Sequence, residues 1–481
     1  MKKIIFFELN EVPWRIIQDF TEDYPESSLA KILYRSRCFE TVAEDSELSP
    51  WVTWPSVHRG VSDKDHEISN FGQELKKIDG EYPPVWKILA ASGISTGIFG
   101  SLHTHPLPIR MDNYSFYVPD VFAAGPECFP KKVCAYQQWN LEMSRGSARN
   151  VSSRFPLIET AKFLRTLPGL GVRAGTLAGI SKHLLDERRE NWKKVRRRSQ
   201  QVILAFDVFM KHLCSTKPAF STFFTNHVAS TMHRYWAAKY PNDYDQIGYS
   251  GDWLKTYDHE IDWTLGKFDK MLERLLHFIQ TESNYELWVA SSMGQAATTA
   301  EKPASRQTFL TNLNMFMSYF GFEPSEYNVK PTMAPRHVIK LTDIRRNSEF
   351  EQLTKNIKVS NVEKSSLGPG EKITVNIKNL DNGVFMIRPP VIQNHAKEEL
   401  TVSGVDVKFS DLGFSNTVIT DQTAQTAYHI PHGSLLIYTP STNYSDTATP
   451  TISSLDIAPA LLDNFGVTRP GYMNNSKVIL Q

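Results

Sequence analysis

Short, almost wholly apolar runs along this chain alternate with longer segments whose apolar residues recur every three to four positions. Lys3-Ile-Ile-Phe-Phe-Glu-Leu is the first such run, and Ile94-Ser-Thr-Gly-Ile-Phe-Gly, Ala219-Phe-Ser-Thr-Phe-Phe-Thr and Tyr285-Glu-Leu-Trp-Val-Ala repeat it. Runs of this length predict strands of a parallel sheet buried on both faces. Trp14-Arg-Ile-Ile-Gln begins a helical period, and residues 82–93 open on prolines and close on Gly93, as helices do. Residues 251–278 predict one long amphipathic helix. Strand and helix in alternation predict an α/β fold: a mostly parallel central sheet flanked by helices.

Two stretches depart from that rhythm. Residues 147–214 are basic and helical around Lys182-His-Leu-Leu-Asp-Glu-Arg-Arg. Charges of both signs at helical spacing predict a solvated face, and the alternative is contact with a polyanion or a membrane surface. Residues 333–416 alternate apolar and polar positions, as in Lys372-Ile-Thr-Val-Asn-Ile and Val384-Phe-Met-Ile, with turns at Gly368-Pro-Gly and Asp381-Asn-Gly. The organisation expected is a first core segment (1–146), a helical insertion or cap (147–214), a second core segment (215–332), a β-rich insertion (333–416) and a C-terminal core segment (417–481).

In open α/β sheets, ligands gather at the carboxyl ends of strands. Asn10 and Glu11 follow the first strand, with Glu8 just before them; His103 and His105 follow the second; Asn226 and His227 follow the third; Ser291-Ser-Met-Gly follows the fourth. In residues 49–68, Pro50 and Pro55 punctuate a helix start, which puts Thr53 or Ser56 near a helix N-terminus. Free N–H groups and the helix dipole there favour an anion and activate a hydroxyl; a capped surface helix is the other reading.

Composition adds exclusions. With 481 residues, 41% hydrophobic and 22% charged, the chain has ample material for a large core, and a net charge of +1 gives no global field for nucleic acid. The four cysteines have no metal spacing. Met1-Lys-Lys-Ile-Ile-Phe-Phe imitates a signal peptide, but its apolar run stops at Glu8, and no run approaches the ~18 apolar residues of a membrane span. A cytoplasmic protein is the expectation.

The motifs then point to a family. Thr53-Trp-Pro-Ser with Gly60 and His66-Glu-Ile, His233-Arg-Tyr-Trp after a strand, Gly294 after Ser-Met, His429-Ile-Pro-His-Gly, and Leu455-Asp-Ile-Ala-Pro fall in one order along the chain. In that order they resemble the alkaline phosphatase superfamily, which includes sulfatases and type I phosphodiesterase/nucleotide pyrophosphatases. The resemblance implies Thr53 as nucleophile, with Ser56 as fallback. It implies a metal site at Asn10, His233 and His429, supported by Glu8, His58, Asn226 or His227. The cofactor implied is a divalent metal, zinc first, as one or two ions or, in a lapsed site, none. The ligand implied is a small-molecule, glycan or lipid phosphate or sulfate ester.

The departures fall on metal-binding carboxylates. Asn10 stands where the family has Asp, Ala229 stands four residues before His233, and Ser292-Met293 replaces Asp-His. A thioether does not replace imidazole on such a metal. Three readings stay open: an ester hydrolase or transferase with a rearranged site, an inactive relative that binds a phosphorylated or sulfated glycan or lipid, and a scaffold whose insertions hold a partner.

Overall fold

The computed structural model describes residues 2–145, 163, 165–167, 169–300, 303–330, 332, 335–360, 373–380, 382–392, 399–440, 442 and 449–474. The start of the expected insertion at 147–214 (residues 147–162, 164 and 168) and the turns at 368–370 and Asp381 lie outside them. Six strands form, β1 (Lys3–Leu9), β2 (Ser36–Val42), β3 (Thr96–Phe99), β4 (Tyr114–Val118), β5 (Phe220–Thr225) and β6 (Tyr285–Ala290), of which β1, β3, β5 and β6 fall on the four apolar runs. With Thr451–Ser453 and His432–Tyr438 they make one eight-stranded sheet, ordered Thr451–Ser453, β2, His432–Tyr438, β6, β1, β5, β3, β4. Only His432–Tyr438 runs against its neighbours, β2 and β6. The sheet is therefore mostly parallel and carries helices on its faces.

Period-2 alternation along β1 divides the core. Ile5, Phe7 and Leu9 join one cluster with Phe223, Phe268 and the flanking helices. Ile4 and Phe6 join the other with Trp54, Trp86 and Trp288. Glu8 shares the second face and is wholly buried there. β1 sits between β5 and β6, so the carboxyl ends of these three central strands lie side by side.

Residues 251–278 are not one helix. Gly251–Tyr257 ends and Glu260–Thr281 begins after Asp258 and His259. No Pro or Gly stands at the break, and packing contacts flank it. Tyr257 stacks on Tyr235 with ring centroids 4.7 Å apart, while Glu260, in the first turn of the second helix, is clasped by the Arg196 guanidinium. In the basic segment Lys182, Arg188 and Arg189 are exposed, as a solvated face requires, while Arg196 and Arg197 turn inward to pair with Glu260 and Glu187. A third cluster, from Leu310 to Phe414, is built from the small sheets of the β-rich region, among them the strands Tyr327–Lys330, His337–Leu341 and Val384–Arg388. No helix among the described residues is long and apolar enough to cross a membrane.

Candidate metal centre

Three side chains meet at the carboxyl edge of the sheet. Glu11 comes from the turn after β1, His233 from the helix His227–Lys239 that follows β5, and His429 from the strand Ala427–Ile430. His233 Nε2 lies 3.0 Å and His429 Nε2 3.3 Å from the same Glu11 Oε2. This is the one group of three potential metal ligands among the described residues.

Backbone contacts fix both imidazoles. His233 Nδ1 is 2.9 Å from the Ala427 carbonyl, and His429 Nδ1 is 2.6 Å from the Leu48 carbonyl. A carbonyl only accepts, so each Nδ1 carries the proton. Each neutral ring then aims its Nε2 lone pair at a carboxylate oxygen, and three electron-rich atoms face one another. Only a positive charge among them removes that repulsion: protons on both Nε2 atoms, or a bound cation. The pKa directions report the same tension. Burial would raise the Glu11 carboxyl, but His233 and then His429 outweigh it and hold Glu11 far below the usual carboxylate range. Burial would lower His429, and Glu11 reverses that.

Glu11 reaches this position from a left-handed backbone, at φ 60. For a residue with a side chain that conformation costs on the order of 1 kcal/mol, and it persists where surroundings over-determine it. Gln295 helps, donating from Nε2 to Glu11 Oε2 and to the Ala229 carbonyl. Asn10 Nδ2 donates to Glu11 Oε1 at 2.7 Å. The donor set is thus two imidazole nitrogens and a carboxylate, all oriented by outer partners. It suits a divalent ion such as zinc with a position left open. Gly294 sets the strand that brings His429 in: Ile430 is its register partner, and a Cβ on Gly294 would stand 2.1 Å from the His432 carbonyl.

The other expected site residues are placed differently. Asn10 is fully engaged, accepting from Trp54 Nε1 and donating to Asn226 Oδ1, each at 2.7 Å. It orders the edge of the sheet and has no lone pair directed at the cluster. Asn226 is exposed beside it. Glu8 and His58 pair with each other at 2.8 Å, both wholly buried, a turn deeper between Trp54 and Trp86. His227 Nδ1 meets Thr225 Oγ1, and burial lowers its pKa to about 4; it stands outside the cluster. Where two ions are implied, the described residues assemble ligands for one.

Thr53 lies in the first turn of the helix Pro50–Arg59. Its hydroxyl is buried and held by the Ser49 carbonyl at 3.2 Å and by Ser292 Oγ at 2.8 Å. Met293 is buried next in the chain. Pro55 leaves the Trp51 carbonyl without its helical donor, and His103 Nε2 supplies one at 2.8 Å. His105 pairs instead with Glu127 at 3.3 Å. Neither histidine enters the cluster.

Ser56 and His66 imitate a nucleophile and its base, with Ser56 Oγ 2.8 Å from His66 Nε2. The polarity is reversed. His66 Nδ1 accepts from Ile68 N at 3.0 Å, so Nε2 carries the proton and donates to Ser56, whose own hydroxyl donates to Asp45 at 2.5 Å. Such an imidazole cannot take the serine proton, and the trio joins this helix to the loops around it. Glu11 and Gln295 are the residues the motifs did not select. The signal for Glu11 was its place just past a strand end, shared with several other polar residues.

No model of a protein family matches the chain, and no curated protein matches it in sequence. Solved structures do resemble it in fold. Murine ectonucleotide pyrophosphatase/phosphodiesterase 5 has a TM-score of 0.41 at 11% identity, covering 98% of this chain and 98% of that one. An inactive form of the murine protein in complex with AMP gives 0.40 at 12% identity over 98% of both chains. The human protein gives 0.40 at 10% identity, covering 98% of this chain and 97% of that one. A likeness of this size says nothing of activity, which has to be argued from the side chains at the sheet edge.

Proposed function

We propose that this chain binds one divalent cation at Glu11, His233 and His429 and acts there on a phosphate or sulfate ester. The observation that carries the reading is the convergence of two backbone-anchored imidazole Nε2 atoms on one carboxylate oxygen. A cation bound there supplies Lewis acidity to an ester oxygen. The chain's own residues do the rest. Glu11 and Gln295 fix the ligand geometry, and Asn226 offers an exposed amide at the mouth. Thr53 is the hydroxyl offered to the ester, in the first turn of a helix whose dipole favours negative charge.

A second reading, ligand binding without turnover, is favoured by one observation. The Thr53 hydroxyl is enclosed by Ser49 and Ser292, and neither is an acid or a base. Elemental analysis of chelator-free protein separates the readings in sequence. Stoichiometric zinc or manganese in wild type, lost in His233→Ala/His429→Ala, is the expected result, and its absence would sink the metal-assisted reading. Hydrolysis of phosphodiester and sulfate-ester probes that disappears in Thr53→Ala supports catalysis. Metal with probe binding but no hydrolysis assigns the chain to the binding role.

A further inference from the structure

A second polar cavity lies where three helices begin. The early turns of Arg197–Thr216, His227–Lys239 and Glu260–Thr281 line it, and none of the three metal ligands does. Its volume is about 10 Å³, room for one particle of about a water's size. His227 belongs to its wall and is only 3% exposed. The Nδ1 atom of this ring is tied to Thr225 Oγ1 at 2.6 Å, so Nε2 lies on the side away from that strand end. Burial lowers the pKa of the ring, and the Thr264 carbonyl works against burial by favouring a proton on it. The Thr225 hydroxyl then donates to Nδ1, and the hydrogen of the neutral ring sits on Nε2. Among the described residues this buried N–H has no hydrogen-bond partner. A buried donor without an acceptor is costly, so the cavity calls for an acceptor.

The surroundings are positive. Arg196, Arg198 and Arg234 line the cavity against one carboxylate, Glu260. Glu260 pairs with Arg196, and Asp421, from outside the lining, pairs with Arg234. Two helix ends add to the field. Neither His227–Lys239 nor Glu260–Thr281 is capped by its N-cap side chain, Asn226 or His259, and each such end carries roughly half a positive charge. A water accepts from Nε2 but leaves that field unanswered, whereas an anion meets both demands. A phosphate or sulfate group exceeds the space, which leaves a monatomic anion.

We propose that this cavity binds a chloride ion, accepted by His227 Nε2 and Ser230 within the field of the three arginines. His233 stands six positions further along the same helix. The ion therefore braces the end of the helix from which one ligand of the metal centre extends. The site does not depend on the ester-binding role proposed for that centre.

Thermal unfolding of the full chain tests it, in chelator, with sodium gluconate exchanged for sodium chloride or bromide at constant ionic strength. Diffraction from bromide-soaked crystals locates the ion. The wild-type midpoint is expected to rise by about 2 °C and to saturate by about 100 mM halide, and His227→Leu/Ser230→Ala to lose most of that rise. An anomalous bromide peak is expected beside His227 Nε2. If the leucine variant does not fold, Arg198→Gln/Ser230→Ala takes its place and is expected to need at least about threefold more halide for the same shift. A midpoint indifferent to halide, or a rise that persists unchanged in the variant, overturns the site. A water in place of bromide at His227 overturns it as well. A bromide peak without saturable stabilisation marks an adventitious ion only and has the same consequence.

Discussion

The carboxyl edge of the sheet has two halves, and they differ in charge. On one, Glu11, His233 and His429 converge with like polarity, and Gln295 and Asn10 hold the carboxylate in place. On the other, Thr53 meets Ser292, Ser291 Oγ donates to the Leu9 carbonyl, and Met293 fills the space behind. The first half is polar and unsatisfied without a positive charge; the second is neutral and closes on itself. A polar site stays open for a ligand when its groups cannot satisfy one another. Replacing a carboxylate with a hydroxyl lets neighbouring hydroxyls do so.

The contrast can be broken from either side. The largest effect is expected from Glu11→Gln, which removes the carboxylate of the open half. Cation affinity should fall by at least about 100-fold in calorimetric titration, since loss of an outer partner alone costs 10–100-fold. An affinity within threefold of wild type would show that the imidazoles suffice. Next comes Asn10→Asp/Ser292→Asp/Met293→His, which restores, at the boundary of the two halves and in the closed one, the ligands the superfamily resemblance implies. Elemental analysis should read two ions per chain in place of one. In chelator the triple variant should lose about 3–5 kcal/mol of unfolding free energy, because its new carboxylates are buried with no cation beside them.

Thr53→Ala probes the closed half more gently. Metal content should stay as in wild type while urea unfolding registers a loss of about 1 kcal/mol, the usual net worth of a buried hydrogen bond. A loss of metal would place Thr53 in the open half. The smallest effect concerns His66, beneath the same helix. Burial, then Arg59, lowers its pKa to about 4 from an ordinary 6.5. The unfolded chain therefore binds an extra proton between those values, and stability falls as pH drops through them. Asp45, raised by burial to about 6, works in the opposite direction, so the comparison needed is with His66→Asn. Wild type's lead in melting temperature over that variant should shrink from pH 6.5 to 4. A constant lead would place the His66 pKa near its ordinary value.

Several of these placements could be read in the sequence, and the residues show why. Apolar runs such as Lys3-Ile-Ile-Phe-Phe announced buried parallel strands, and Pro50 announced the start of the Thr53 helix, because period and proline geometry are local properties. The break at Asp258 and His259 was not legible, since neither a Pro nor a Gly marks it, and the contacts that flank it, with Tyr235 and Arg196, come from far along the chain. Among Glu8, Asn10 and Glu11, residue type alone could not choose. Glu8 lies within the apolar run, where alternation sends it to the Trp54 face and His58; Glu11 lies one residue past Asn10, in a conformation that no pattern of side chains announces.

The sequence by itself determined the class of fold, the helix that carries Thr53, and the polar residues that reach strand ends, because each follows from neighbours within a few positions. Only the tertiary structure decided that the carboxylate facing His233 and His429 is Glu11, that Asn10 is an organiser held by Trp54, and that Ser56 and His66 are wired against catalysis. Those outcomes turn on backbone carbonyls and side chains brought together from far along the chain, His429 and Leu48 being 381 positions apart. A lone pair's direction is fixed by what the other end of its ring touches, and that is a property of the folded chain.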